Sequence, residues 1–279
     1  MYPALSPGAI GVRLPFEECA RLAAAAGFKG ISIGLGEEDG DPEALRCVLE
    51  VNKLFPAAWS LPVEFRKDEH SYRESLSRLP KVAKVAKQIG ADRCSTWLLP
   101  FSDDLAFEEN FELHKTRLRG CAEVLAEHQC RLGLEFVAPK TVREGHAHEF
   151  IHTQEGMLEL CEAIGTGNVG LLFDSFHWYT AQGSEEDIHK LSDALIVDAH
   201  INDGVEGRGP DEQIDNERRL PGETGVIDLV GFLRGLKTVG YTGPVTPEPF
   251  SAELREMPPE EAIRTTGEAL LRVWRGAEI

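Results

Sequence analysis

The sequence predicts a (β/α)₈ barrel on three observations: its length, an end-to-end alternation of short apolar runs with longer amphipathic stretches, and charged residues closing the later apolar runs. A chain of 279 residues with 42% hydrophobic residues supplies one large core, and barrels of this class fill about 250 residues as one unit. No Ser/Gly linker, low-complexity tract or repeat breaks the series, so residues 1–279 are expected to form a single barrel domain.

Taken in order, the strands are expected near Ala9–Val12, Gly30–Ile33, Ala57–Leu61, Arg93–Leu98, Leu132–Phe136, Val169–Phe173, Leu195–His200 and Pro244–Thr246. Helical periodicity fills the intervals at Phe16–Ala26, Pro42–Leu54, Tyr72–Ile89, Glu109–Gln129, Thr153–Ile164, Ile227–Val239 and Pro259–Arg275. Asp41 before Pro42 has the form of an N-cap followed by an N1 proline, and Gly90 after Ile89 that of a helix stop. Between the sixth and seventh strands, Ser184–Asp193 leaves room only for a short helix. Residues 202–224 carry no period and are rich in Gly, Asp, Glu and Arg. Because barrel enzymes work from the loops that follow their strands, this segment is expected to lie over the active-site face.

Charge and cysteine usage narrow the function classes. A formal net charge of −18 repels phosphate polymers and anionic lipid surfaces, which argues against nucleic acid and membrane as partners. The six cysteines (Cys19, Cys47, Cys94, Cys121, Cys130 and Cys161) include no C-x-x-C pair and sit mostly in helical or strand patterns, as reduced thiols do. Residues 1–12 lack a basic start followed by an apolar run, and no stretch approaches ~18 consecutive apolar residues. The expected compartment is the cytoplasm.

Charged groups at the ends of buried strands need a partner, a metal or a shifted pKa. Glu135, Asp174, His200 and Glu248 stand at the ends of the fifth to eighth expected strands, where their side chains would converge over one half of the barrel mouth. Three carboxylates and an imidazole form an oxygen-rich donor set for one divalent ion, Mn²⁺ first, with Mg²⁺, Co²⁺ or Zn²⁺ as alternatives. On the loops nearby, Lys140 follows the fifth strand, and Arg208, Arg218 and Arg219 follow the seventh, as cations able to bind an anionic substrate group. Trp97 and Trp178 are candidates for an apolar wall against a sugar. His146, His148 and His152 lie in a polar loop that reads as a lid segment rather than a second metal site.

Five strings carry a family resemblance: Gly133-Leu134-Glu135-Phe136, Phe173-Asp174-Ser175-Phe176-His177, His200-Ile201-Asn202-Asp203, Leu220-Pro221-Gly222-Glu223-Thr224-Gly225 and Gly240-Tyr241-Thr242-Gly243-Pro244-Val245. In these the chain resembles the xylose-isomerase-like sugar isomerase/epimerase family, whose superfamily includes ketose 3-epimerases, inosose dehydratases and endonuclease IV. The resemblance implies that Glu135, Asp174, His200 and Glu248 hold one metal and that Glu135 and Glu248 also move the proton. It further implies substrate contacts for His177, three residues after the aspartate, and for an arginine beyond His200, for which Arg208 is the nearest match. The expected activity is a divalent-metal-dependent isomerase or epimerase of a sugar or keto-sugar, abstracting a proton beside a carbonyl through a metal-stabilised enediolate. The alternative is a dehydratase or lyase on a keto-cyclitol, keto-sugar or dehydroshikimate-like substrate. The expected partner is that small molecule and, at most, further copies of the chain. The extra histidines that endonuclease IV needs for its three-metal cluster are absent: the fourth strand carries Ser95-Thr96-Trp97 at that point.

Overall fold

The computed structural model describes residues 1–36 and 41–279. Eleven strands run β1 Tyr2–Leu5, β2 Gly30–Ile31, β3 Phe55–Pro56, β4 Trp59–Ser60, β5 Arg93–Leu98, β6 Phe101–Ser102, β7 Arg131–Phe136, β8 His148–Glu149, β9 Val169–Asp174, β10 Ile196–Ile201 and β11 Pro244–Pro247. Nine of them form one sheet in the order β3-β2-β1-β11-β10-β9-β7-β5-β4, and every pairing in that sheet is parallel. Its two outer members, β3 and β4, are joined by Ala57 and Ala58 alone, and both alanines are buried. The sheet therefore closes on itself, with β3 and β4 as one bent stave, and eight staves complete a barrel inside its helices.

The strand expected at Ala9–Val12 is instead a 3₁₀ turn, Gly8–Ile10, which Gly11 ends with φ 77°. The first stave is β1, where Tyr2 donates to Gly243 and Pro3 contributes only its carbonyl, accepting from Lys29. A proline inside a four-residue run hid that strand from a pattern-based reading. The third expected strand, Ala57–Leu61, contains β4, and β3 precedes it as the other part of the same stave. Elsewhere the shifts are at helix ends: the helix expected from Tyr72 begins at Glu69, because Asp68 accepts from the amides of His70 and Ser71. Asp41 and Gly90 cap as expected. Residues 184–193 hold one short helix, Glu185–His189, before the 3₁₀ turn Asp193–Leu195.

Apolar side chains from staves and helices make one continuous core. Gly133 in β7 shows how tightly the barrel interior is filled, since a Cβ there would lie 3.1 Å from the Val197 Cβ of the non-adjacent strand β10. Outside the barrel wall, β6 and β8 pair antiparallel and tie the segment after β5 to the segment after β7. The stretch 202–224 is irregular apart from the 3₁₀ turn Pro210–Glu212 and a bridge between Asp203 and Arg219. Among the described residues no helix is long and apolar enough to cross a membrane.

Candidate metal centre and substrate pocket

Parallel register brings the charged strand ends level. His200 lies opposite Asp174 in the β9–β10 pairing and opposite Thr246 in the β10–β11 pairing, two residues before Glu248. Glu135 stands one residue from the end of β7. Glu135, Asp174, His200 and Glu248 each offer one ligand atom such that all four lie within 4.8 Å of one another. Among the described residues this is the one group of metal-type ligands so arranged.

The four fit a divalent ion on evidence beyond proximity. Glu135 Oε1 and His200 Nδ1 are buried without a hydrogen-bond partner, an arrangement that costs about 1–3 kcal/mol for each atom unless something occupies the space between them. His200 Nδ1 faces Glu248 Oε2 at 3.3 Å, and on its far side Nε2 lies 3.6 Å from Asp198 Oδ2. A proton held at Nε2 by Asp198 leaves the Nδ1 lone pair free for a cation, the usual carboxylate–histidine arrangement behind a metal ligand. Asp198 is itself held by Ser95 Oγ at 3.3 Å and by the Ala199 amide at 2.9 Å.

Electrostatics agree. Burial and then the Glu248 charge push the Glu135 carboxyl well above the ordinary range. Burial opposes charge on His200, but Glu248 and Asp198 overcome it and raise the imidazole. A cluster that draws protons onto both an acid and a base is short of positive charge. The donors suit a hard cation.

A second tier of residues holds the ligands in place. Asn202, fully buried, donates from Nδ2 to both Asp174 oxygens at 3.1 and 3.3 Å, while its Oδ1 accepts from the Glu248 amide at 2.6 Å. Asp174 also caps the helix Ser175–Thr180 through the Phe176 amide. Arg218, 2% exposed, donates to Asp174 Oδ2 and Asp215 Oδ1 at 2.8 Å and to Glu248 Oε2 at 3.3 Å. Its guanidinium lies between the rings of Phe176 and Phe250. Burial alone would raise Asp174, but Arg218 and the two histidines bring it below the usual carboxylate value.

His177 enters the same pocket, with Nε2 3.1 Å from Arg218 Nη2, 3.7 Å from Asp215 Oδ1 and 3.8 Å from Glu135 Oε1. Its Nδ1 accepts from the Ala138 amide at 3.3 Å. Burial and then Arg218 lower its pKa, which favours the neutral ring, and each ring nitrogen faces an N–H donor, the Ala138 amide at Nδ1 and Arg218 Nη2 at Nε2.

The other sequence candidates separate. Trp97 lines a cavity of about 400 Å³ together with Glu135, His177, Arg218, Glu248 and Phe250. Arg208 does not reach that cavity: it pairs with Glu217 at 2.7 Å, and Arg218, ten residues on, occupies the buried position beside the ligands. Trp178 is half-buried, donating to the Ser184 carbonyl and packing on Phe232, and lines neither this cavity nor the one beside Ser60 and Ser95. Lys140 is half-exposed and bridges Glu144 and Asp211 at 3.5 and 4.0 Å, linking two loops instead of facing the ligands. His146 stacks on Phe101 and pairs with Asp103, while His148 belongs to β8, so the loop histidines brace the ribbon. Sequence reasoning passed over Asp198 and Asn202, although both stand two residues from His200 and so share its alternation along the strand. It also left Arg218 undistinguished from its neighbours.

A profile described as "Xylose isomerase-like TIM barrel" matches residues 20–273. The chain belongs to that family. It is 26% identical over 245 residues to the inosose isomerase of Halalkalibacterium halodurans, covering 85% of this chain and 81% of that one. It is 29% identical over 250 residues to the 3-dehydroshikimate dehydratase of Pseudomonas aeruginosa, a match spanning 84% of this chain and 36% of the dehydratase. A xylose isomerase domain protein from Alicyclobacillus acidocaldarius superposes with a TM-score of 0.87 at 30% identity, covering 99% of both chains.

Proposed function

We propose that the chain is a divalent-metal-dependent isomerase or epimerase of a sugar or keto-sugar, with Glu135, Asp174, His200 and Glu248 as ligands and Mn²⁺ as the preferred ion. The observation that carries this reading is the pair of orphaned buried atoms, Glu135 Oε1 and His200 Nδ1, inside a ring of three carboxylates and an imidazole. The match to a relative named inosose isomerase over most of both chains supports it. When bound, the ion would supply Lewis-acid stabilisation of negative charge developing on the substrate's carbonyl and neighbouring hydroxyl oxygens.

The chain's own residues do the rest. Glu135 and Glu248 approach the reacting carbon from different staves and serve as base and conjugate acid, one taking the proton beside the carbonyl and the other returning it. His177 lies in the cavity within reach of a substrate oxygen, and Arg218 holds Asp174 and Glu248 at fixed separation while facing His177 Nε2. Trp97, Val137, Val142 and Phe250 line the cavity with apolar surface that limits water at the proton-transfer site.

The test is deuterium incorporation from D₂O at the carbon beside the carbonyl, followed by NMR with Mn²⁺-loaded protein and candidate ketoses. Glu135→Gln and Glu248→Gln should each slow exchange by about 10²–10⁴, because an amide keeps the shape and loses the basic oxygen. Metal content is measured on each variant first. Metal-loaded variants exchanging at the wild-type rate would exclude the two-carboxylate mechanism, and an enone product in place of a stereoisomer would assign the dehydratase reading.

A further inference from the structure

The barrel mouth divides into two halves of different chemistry. The ligands occupy four consecutive staves, β7, β9, β10 and β11. The remaining four staves each carry a serine that lines one cavity of about 370 Å³: Ser6 after β1, Ser32 after β2, Ser60 at the end of β4 and Ser95 midway along β5. Register aligns them, since Leu5 pairs with Ile31 immediately before Ser6 and Ser32, and Ser60 pairs directly with Ser95. The same cavity reaches Asp198, His200 and Glu248, and it shares Glu248 with the cavity that holds His177 and Arg218.

Resting on the isomerase or epimerase reading of the ligand half, we infer that the serine half is the specificity subsite for the non-reacting end of the substrate, and that this substrate is an uncharged polyhydroxy ketone. A serine hydroxyl both donates and accepts, which matches an alcohol and offers an anion only one donor. Among the described residues the hydroxyls of Ser6, Ser32 and Ser60 have no hydrogen-bond partner, whereas Ser95 is engaged with Asp198. No Lys or Arg lines this cavity among the described residues, while Asp198 and Glu248 add negative charge to it. Nor does the neighbouring cavity offer a spare cation, because Arg218 already faces Asp174, Asp215 and Glu248. A phosphate or carboxylate would enter the field of a chain with net charge −18 and, among the described residues lining the two cavities, find no uncommitted cationic side chain. The volume lies at the lower end of ligand pockets, roughly 300–1,000 Å³, and suits a monosaccharide or cyclitol.

The experiment pairs binding with turnover on four probes: D-fructose, D-fructose 6-phosphate, 2-keto-myo-inositol and 3-dehydroshikimate. Isothermal titration of Mn²⁺-loaded protein reads binding, and deuterium exchange reads chemistry. At least one neutral ketone should bind at least tenfold more tightly than either anion. Ser32→Ala and Ser60→Ala should each weaken that binding roughly 2- to 10-fold, the value of one neutral hydrogen bond, and raise KM with little change in kcat. Ser60→Lys should move the preference toward fructose 6-phosphate. Binding of a neutral ketone without exchange would sustain the subsite and defeat the proton-transfer reading. Exchange with either anion preferred would do the reverse. Failure of both neutral ketones to bind at 100 mM, or serine variants that bind them as tightly as wild type, would overturn the inference.

Discussion

His200 binds through one nitrogen only if something fixes its other one, and Asp198 is placed to do so. Replacing Asp198 with Ala should therefore weaken Mn²⁺ affinity by about 10- to 100-fold, the usual cost of losing such a partner. His200→Ala should abolish stoichiometric binding, whereas His177→Ala should keep the metal and lose turnover. Elemental analysis beside kinetics separates these cases; loss of metal from His177→Ala would mean that the ligand set is drawn wrongly. The four strand-end groups were legible in the sequence because a charge closing an apolar run has few innocent explanations. Arg218 was not: eight other residues in 202–224 are Gly, Arg or Pro in no repeating order around it, and a loop without period gives no sign of which arginine turns inward. Its partners Asp174 and Glu248 become its neighbours only after folding, while Asp215 stands three residues before it.

At the scale of the element, the long segment after β10 is fastened by one side chain. Asp203 is fully buried, with Oδ1 accepting from the amides of Gly204 and Ile227 and Oδ2 from those of Thr224 and Gly225. It thus clamps the start of the segment to its end, and Arg218 lies inside the loop so closed. Asp203→Ala leaves several buried amides unmatched and should cost about 2–4 kcal/mol. Amide exchange at Thr224, Gly225 and Ile227 should accelerate in mass-spectrometric measurements, with KM rising as Arg218 loosens. Unchanged protection at those amides would refute the clamp. The sequence marked 202–224 as a functional loop by its length and composition, but the tether is a pairing between distant backbone groups that composition does not encode.

For the molecule as a whole, acid sensitivity has an identifiable contributor far from the ligands. His114 is buried between the rings of Phe65 and Phe150, donates to the Asn110 carbonyl at 2.9 Å, and has its pKa lowered by burial to about 4 from 6.5. The unfolded chain takes up this proton first, so the contribution to stability is intact above pH 6.5 and is lost as pH falls toward 4. The loss is on the order of 3 kcal/mol. Urea unfolding at pH 7 and pH 4.5 should show a smaller acid-induced drop for His114→Phe than for wild type, and equal drops would rule His114 out. The barrel itself was legible from periodicity at seven of its eight staves; the first was masked by Pro3, and of the third the expected Ala57–Leu61 took in β4 but not β3 before the bend.

The staves bearing serines all lie within residues 1–98, and the staves bearing ligands all lie within residues 131–250. Each half of the mouth is thus a continuous length of chain, and within the main sheet the two pair at two seams, β5 against β7 and β1 against β11. Inheritance can act on them separately. Recombination at a crossover between residues 103 and 130 would exchange one hydroxyl-bearing half for another while carrying all four ligands, with Asp198, Asn202 and Arg218, across as a block, and Asp198 would take its serine partner from the new half. A lineage built this way could diversify what it accepts without reinventing how it reacts.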